Sequence, residues 1–122
     1  MSSVLHELTN YEQERGKPMP SFHHGVVEMN LGIEFSKNRD FRTVTEVTLD
    51  LGEKPHPTPD LSVFPRAKID WQHDEIRKTD APVSIVEILS PTQGSFELMQ
   101  RVDRYLKAGV KSCWIVFPTA KT

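Results

Sequence analysis

The sequence contains a single cysteine, Cys113, so a disulfide within the chain is impossible. Secreted domains of this size often depend on disulfides, and the lone cysteine therefore favours a reducing cytoplasm. The N-terminus lacks the basic start and apolar middle of a signal peptide. No apolar run approaches the length of about 20 residues that a membrane-spanning helix needs, so no membrane contact is expected.

A large excess of one charge is also missing, because 15 basic and 17 acidic side chains give a formal net charge of -2. A protein that coats nucleic acid generally would be clearly basic, although a local basic groove is compatible with this balance. The sequence shows no internal repeat and no low-complexity tract. Its 122 residues predict one domain, 1–122, with room for one substantial core.

An apolar stretch closed by a proline at each end runs from Pro82 to Pro91. In a strand, alternate residues point to opposite faces, and here the residues on both faces are mostly apolar. This pattern is typical of an interior strand covered on both sides. Glu87 is the exception, since an isolated carboxylate in such a row costs on the order of several kcal/mol. A buried acid requires a cation, hydrogen-bond donors or a proton, so Glu87 marks a candidate site.

The remaining pattern predicts an α/β fold with the element order αβββαβ. One helix starts at Ser21 as N-cap, and a second spans 95–108 with Gly109 as its cap. The inner face of the second helix is predicted to consist of Leu98, Val102, Tyr105 and Leu106. Strands are predicted at 43–51, 61–64, 82–91 and 112–117. We expect a mixed sheet flanked by helices, with the final strand in its interior.

The pair Pro59-Asp60 opens the strand at 61–64, which is a candidate neighbour of the strand that carries Glu87. Two carboxylates at one end of a sheet, completed by waters and a substrate phosphate, can bind Mg²⁺. The alternative is structural, because Pro-Asp is a common turn pair and a buried glutamate is more often paired with an arginine. These two residues alone favour the structural interpretation.

Longer motifs change that balance. They are Pro59-Asp60, Val86-Glu87-Ile88-Leu89-Ser90-Pro91 and the segment from Tyr105 to Val116, preceded by Arg15 to Ser21 and by His24. Together they resemble the Uma-type family of proposed restriction endonucleases in the PD-(D/E)xK superfamily. The resemblance covers roughly residues 10–118. It implies a restriction-endonuclease-like α/β core and hydrolysis of DNA phosphodiester bonds with Mg²⁺ or Mn²⁺, with Asp60 and Glu87 as metal ligands.

Two features depart from the family. Leu89 stands where the superfamily has a lysine, and Arg101 stands where Uma-type members commonly supply one from the following helix. The resemblance makes Arg101 the third catalytic residue, stabilising charge on the phosphate, but arginine cannot release a proton near neutral pH. An active nuclease and an inactive member that binds nucleic acid or protein therefore both stay open.

The second departure is the end of the chain, since family members usually continue with more sheet beyond the final strand. The resemblance therefore predicts a C-terminally truncated member, or a fragment that needs a second chain. A sheet that ends at an apolar strand leaves an edge or face uncovered. We accordingly expect a homodimer.

Other side chains receive weaker assignments. A third acid is expected from Glu28, Glu34 or Glu46, and Glu46 is favoured because its strand is a candidate neighbour of Asp60. His23 and His24 are interpreted as a surface pair, with a ligand or DNA-contact role for His24 as the less favoured alternative. The charged segment 65–81 is interpreted as a solvated loop, or as a flap that carries Trp71 toward nucleic acid. Arg101 is expected to point toward Glu87 or Asp60.

Overall fold

The computed structural model describes residues 19–52, 54–89 and 95–118. Within these ranges lie two helices, α1 (Phe22–Phe35) and α2 (Ser95–Lys107), and six strands. The strands are β1 (Phe41–Thr45), β2 (Thr48–Leu49), β3 (Leu61–Pro65), β4 (Arg77–Lys78), β5 (Ser84–Ile88) and β6 (Ser112–Val116). Residues 15–18 and the Ser90-Pro91 pair, which contribute to the family resemblance, fall outside the described residues.

Four strands form a mixed sheet in the order β1-β3-β5-β6. Neighbouring strands β1, β3 and β5 run antiparallel, while β5 and β6 are parallel and are connected through α2. The predicted αβββαβ order and the mixed sheet with its helices are confirmed for this sheet. A second sheet of two short parallel strands, β2 and β4, was not predicted, and β4 lies within the segment expected to be irregular.

The core has two layers, one on each face of the sheet. One cluster joins Ile85 of β5 to Tyr105 of α2, and the other joins Val86 and Ile88 to residues of α1. Alternate residues of β5 therefore pack against different helices, as expected for a strand buried on both faces. This arrangement aims Glu87, which shares a face with Ile85, at α2.

The predicted N-cap of α1 and the predicted glycine cap after α2 are confirmed. The Ser21 side chain accepts a hydrogen bond from the His24 backbone N–H at 3.1 Å, which caps α1. Gly109 follows α2 with a φ of 107°, in the left-handed region that glycine adopts most easily. None of the helices in the described ranges is long and apolar enough to span a bilayer.

The predicted strand over 43–51 is wrong, because the chain breaks at Glu46 into β1 and β2. Glu46 has a φ of 54°, a left-handed conformation that interrupts any strand, and its N–H donates to the Asp60 carbonyl at 3.1 Å. The break lets β1 pair with β3 while β2 pairs with β4. Local alternation of apolar and polar residues could not reveal this change of partner.

Two further expectations about burial are wrong. β6 is an edge strand of the described sheet and not an interior one, and its Trp114 is 53% exposed. Leu106 was assigned to the inner face of α2 but is 47% exposed, because it lies at the margin of the face that Tyr105 and Leu98 bury. The segment 65–81 keeps Trp71 85% exposed, so its role as a flap stays a prediction.

Candidate metal centre

Asp60 lies at the end of the sheet where β3 begins. Leu61 pairs with Val86, and one further step along these antiparallel strands places Asp60 opposite Glu87. The Asp60 carboxylate is buried, with 1% of the residue exposed. Its Oδ2 accepts the backbone N–H of Ile88 at 2.7 Å, which fixes the carboxylate beside β5. The predicted placement of the two acids on neighbouring strands is therefore what the structure shows.

The other Asp60 oxygen faces α1. Asp60 Oδ1 lies 3.0 Å from His24 Nε2, and His24 Nδ1 lies 3.5 Å from Glu28 Oε1. His24 and Glu28 are separated by one helical turn, so they share the inner side of α1. The interpretation of His23 and His24 as a surface pair is wrong for His24, which is buried because its ring reaches across to Asp60.

His24, Glu28 and Asp60 form a cluster whose potential ligand atoms lie close enough together to hold one metal ion. One potential ligand atom from each residue lies within 4.8 Å of the other two. His24 Nδ1 is buried and makes no hydrogen bond to any residue in the described ranges. The contact with Glu28 at 3.5 Å leaves this buried nitrogen without a hydrogen bond, and a ligand role would supply its partner.

The charges in this cluster raise two pKa values. The hydrogen bond to Asp60 raises the pKa of His24, against the opposing effect of burial, and the carboxylates of Asp60 and Glu28 raise it further. Burial raises the pKa of Glu28 to about 7, and the carboxylates of Glu46 and Asp60 add to that effect. Acids crowded at one position share protons in this way when no cation offsets them.

Of the three candidates for a third acid, Glu28 and Glu46 lie near Asp60 and Glu34 does not. Glu28 belongs to the cluster, and Glu46 is hydrogen-bonded to Glu28. Glu34 lies elsewhere, with its side chain 66% exposed and paired with Lys37 at 2.9 Å. Glu46 has a left-handed backbone conformation, and strained residues of this kind recur at functional sites.

Glu87 has its own partners on α2. Tyr105 donates its hydroxyl hydrogen to Glu87 Oε2 at 2.9 Å, and Arg101 Nη1 lies 3.4 Å from the same oxygen. Burial raises the pKa of Tyr105, and the Glu87 carboxylate adds to the effect, so the hydroxyl keeps its proton and donates it. The expected orientation of Arg101 toward Glu87 is what the structure shows.

In the structure Asp60 contacts His24 of α1, and Glu87 contacts Tyr105 and Arg101 of α2. A single ion between them stays a prediction. Sequence reasoning did not select His24 and Glu28 as a pair. The available signal was their spacing of one helical turn, which places an imidazole and a carboxylate next to each other.

The donor set fits a divalent cation. Carboxylate oxygens suit Mg²⁺ and Mn²⁺, and an imidazole nitrogen is a further ligand that transition metals accept readily. The pKa of Glu28 is raised to about 7, chiefly by burial and then by neighbouring carboxylates, and a bound cation would favour the ionised form against both effects.

These pKa shifts predict that the metal-free protein is more stable at pH 6 than at pH 8. Glu28 binds a proton more tightly when folded, so its stabilising contribution is lost as the pH rises from about 4.5 to about 7. The contribution of His24 is complete below 6.5 and is lost as the pH rises through its raised pKa. Thermal unfolding in EDTA at both pH values measures the difference.

Glu28→Gln should shrink that difference and make the protein more stable than wild type at pH 8, because it removes a crowded carboxylate. Glu34→Gln is the matched control, since Glu34 lies on the same helix but is largely exposed. If Glu28→Gln unfolds with the same pH dependence as wild type, the carboxylates do not crowd as described.

Comparisons with known proteins bear on the family and on the fold. The sequence model of the family Uma2, described as "Putative restriction endonuclease", matches residues 4–122. A crystal structure titled as a putative nuclease belonging to DUF820 from Anabaena variabilis is 26% identical, with a TM-score of 0.69. The match covers 84% of this chain and 60% of that one. A comparison with functionally curated proteins gave no match.

Proposed function

Because the chain belongs to the Uma2 family, we propose that it is a metal-dependent endonuclease that hydrolyses phosphodiester bonds in DNA. The observation that carries the proposal is the buried carboxylate of Asp60, fixed by Ile88 and surrounded by His24 and Glu28. Clusters of buried titratable groups with perturbed pKa values, such as Glu28 and His24, are typical of functional sites.

Each residue has a role in this proposal. Asp60 and Glu87 would hold the ion, and His24 and Glu28, which cluster with Asp60, would be further ligands. A bound Mg²⁺ or Mn²⁺ polarises a phosphoryl oxygen and activates water. Tyr105 orients Glu87 through its hydroxyl group. Arg101 presents a planar fork that can pair with phosphate oxygens and stabilise developing charge.

Nicking of supercoiled DNA tests the proposal. Cleavage should require Mn²⁺ or Mg²⁺ and should stop on addition of EDTA. Glu87→Gln and Glu28→Gln then tell which acids hold the ion, with Glu34→Gln as the control that retains activity. Absence of cleavage with both ions on DNA of varied sequence and structure would contradict the proposal.

A second candidate is an inactive family member that binds nucleic acid or protein. The observation in its favour is that Arg101, at the position where relatives commonly have lysine, is already engaged with Glu87. Arginine keeps its proton near neutral pH, so it cannot act as an acid or base there.

Arg101→Lys distinguishes the two candidates. Lysine restores the residue expected from the family resemblance, so cleavage should be equal to or faster than that of wild type if the site is catalytic. The rate of nicking at saturating Mn²⁺ measures this effect. If wild type and Arg101→Lys are both inactive while Arg101→Ala fails to fold, Arg101 is a structural counter-ion and the binding role replaces catalysis.

We also propose that the protein forms a homodimer. Trp114 on the edge strand β6 and Phe117 just after it are 53% and 57% exposed, and large apolar groups at a sheet edge favour association. Light scattering should give twice the chain mass, and Trp114→Glu should give a monomer. A wild-type monomer at high concentration would contradict this proposal.

The proposal extends to the organisation and location of the chain. We take residues 1–122 as one restriction-endonuclease-like domain, because both helices and the four-stranded sheet share one pair of core layers. A cytoplasmic location suits a chain with one cysteine, since Cys113 has no partner for a disulfide in the sequence.

A further inference from the structure

A cavity of about 150 Å³ lies between α2 and the turn that follows β2. Its walls are basic on the side of α2 and apolar on the side of the turn, formed by Arg101, Arg104, Lys107, Leu51, Pro55 and Pro57. At about 30 Å³ for each water molecule, it has room for about five waters, which is enough for one phosphate group.

The charged side chains that line the cavity within the described residues are all basic. Three of them follow at three-residue intervals along α2, and no carboxylate of the described part of the chain lines the cavity. Arg101 pairs with Glu87, and Lys107 pairs with Asp103 at 2.9 Å. Arg104 forms no ion pair with any residue of the described ranges, which leaves a guanidinium available for a ligand.

We propose that this cavity binds a backbone phosphate of the nucleic-acid substrate, next to the phosphate that is cleaved. The inference rests on the proposed function and adds the subsite formed by Arg104 and Lys107. Arginine matches phosphate with two parallel hydrogen bonds, and the apolar wall strengthens their attraction by excluding water. Such contacts position a nucleic-acid chain without reading its sequence.

Continuity with the candidate site favours a nucleic-acid chain over other anions. Arg101 lines the cavity and also contacts Glu87, so the cavity begins one side chain away from a proposed metal ligand. A chain with its reacting phosphate near Glu87 would carry its next phosphates along α2. The subsite thereby assigns a direction to the substrate, from the sheet end toward the C-terminus of α2.

Salt dependence of DNA binding tests the subsite without cleavage. Affinity for a fluorescent duplex is measured by anisotropy in EDTA at several NaCl concentrations. Each phosphate contact contributes about 0.9 to the slope of log affinity against log salt. Arg104→Ala should lower the slope by about 0.9 for every DNA sequence tested, whereas Arg104→Lys should keep it. Lys111→Ala is the control, since Lys111 is exposed and does not line the cavity.

The outcomes separate this proposal from the proposed function. An Arg104-dependent slope without cleavage or Mn²⁺ binding would support the phosphate subsite while ending the nuclease proposal. If wild type cleaves DNA but Arg104→Ala and Lys107→Ala both keep the wild-type salt slope of DNA binding, the phosphate subsite is overturned and the nuclease proposal is not. Absence of DNA binding by wild type, or an equal loss of affinity for polyglutamate in Arg104→Ala, would also overturn it. Circular dichroism confirms that the variants fold.

Discussion

Asp60→Asn should reduce metal-dependent DNA cleavage by more than about 100-fold while leaving the fold intact. Mutation of groups that only support metal ligands costs about 10–100-fold in affinity or activity, and a ligand itself should cost more. Asparagine keeps the shape and can still accept the Ile88 N–H through its carbonyl oxygen. Its amide can donate to a neutral His24 ring in place of the present contact.

Two measurements separate loss of the site from loss of the fold. The unfolding temperature in EDTA should change little between wild type and Asp60→Asn, whereas the increase produced by Mn²⁺ should disappear in the variant. A variant that unfolds in EDTA at a much lower temperature would show that Asp60 is needed for the fold. A variant that still cleaves DNA like wild type would remove Asp60 from the proposed site.

Arg101→Ala should destabilise the protein by about 3 kcal/mol, because it leaves the carboxylate of Glu87 without its cation. Glu87 is 1% exposed, so its carboxylate is shielded from water, while the Tyr105 hydroxyl would still donate to it from α2. Urea unfolding followed by circular dichroism gives the free energy of unfolding for each variant.

Removing the charge of Glu87 should cost less stability than removing Arg101. Glu87→Gln removes the buried charge but keeps a group that can accept the hydroxyl hydrogen of Tyr105. Arg101 is partly exposed, with 16% of its side chain accessible, so water can solvate its head. The double variant Arg101→Met with Glu87→Leu should recover most of the lost stability. Strictly additive costs would show that the two residues do not interact energetically.

The local elements of the fold could be predicted because their signals are local. Residues on both faces of β5 are apolar, Ser21 can cap a helix, and Gly109 can adopt the left-handed cap after α2. Glu87 could be selected from the same local pattern, since it alone interrupts an apolar row. Arg101 required the family resemblance, because its position on a helix indicates no role without the strand it faces.

The parts that could not be predicted depend on contacts distant in sequence. The burial of His24 results from a contact with Asp60, 36 residues away, which no local pattern shows. The break at Glu46 likewise depends on the carbonyl of Asp60. β6 has the apolar composition of an interior strand, but its exposure is decided by which strands lie beside it. The cluster around Asp60 is therefore a property of the folded chain.

We propose that Asp60 organises a site for one divalent cation. Calorimetric titration of the protein with Mn²⁺ at pH 7.5 tests this directly, because the measurement does not depend on finding the right DNA. We expect saturable binding of one ion per chain, lost in Asp60→Asn and retained in Glu34→Gln. Absence of binding by wild type, or equal binding by wild type and Asp60→Asn, would contradict it.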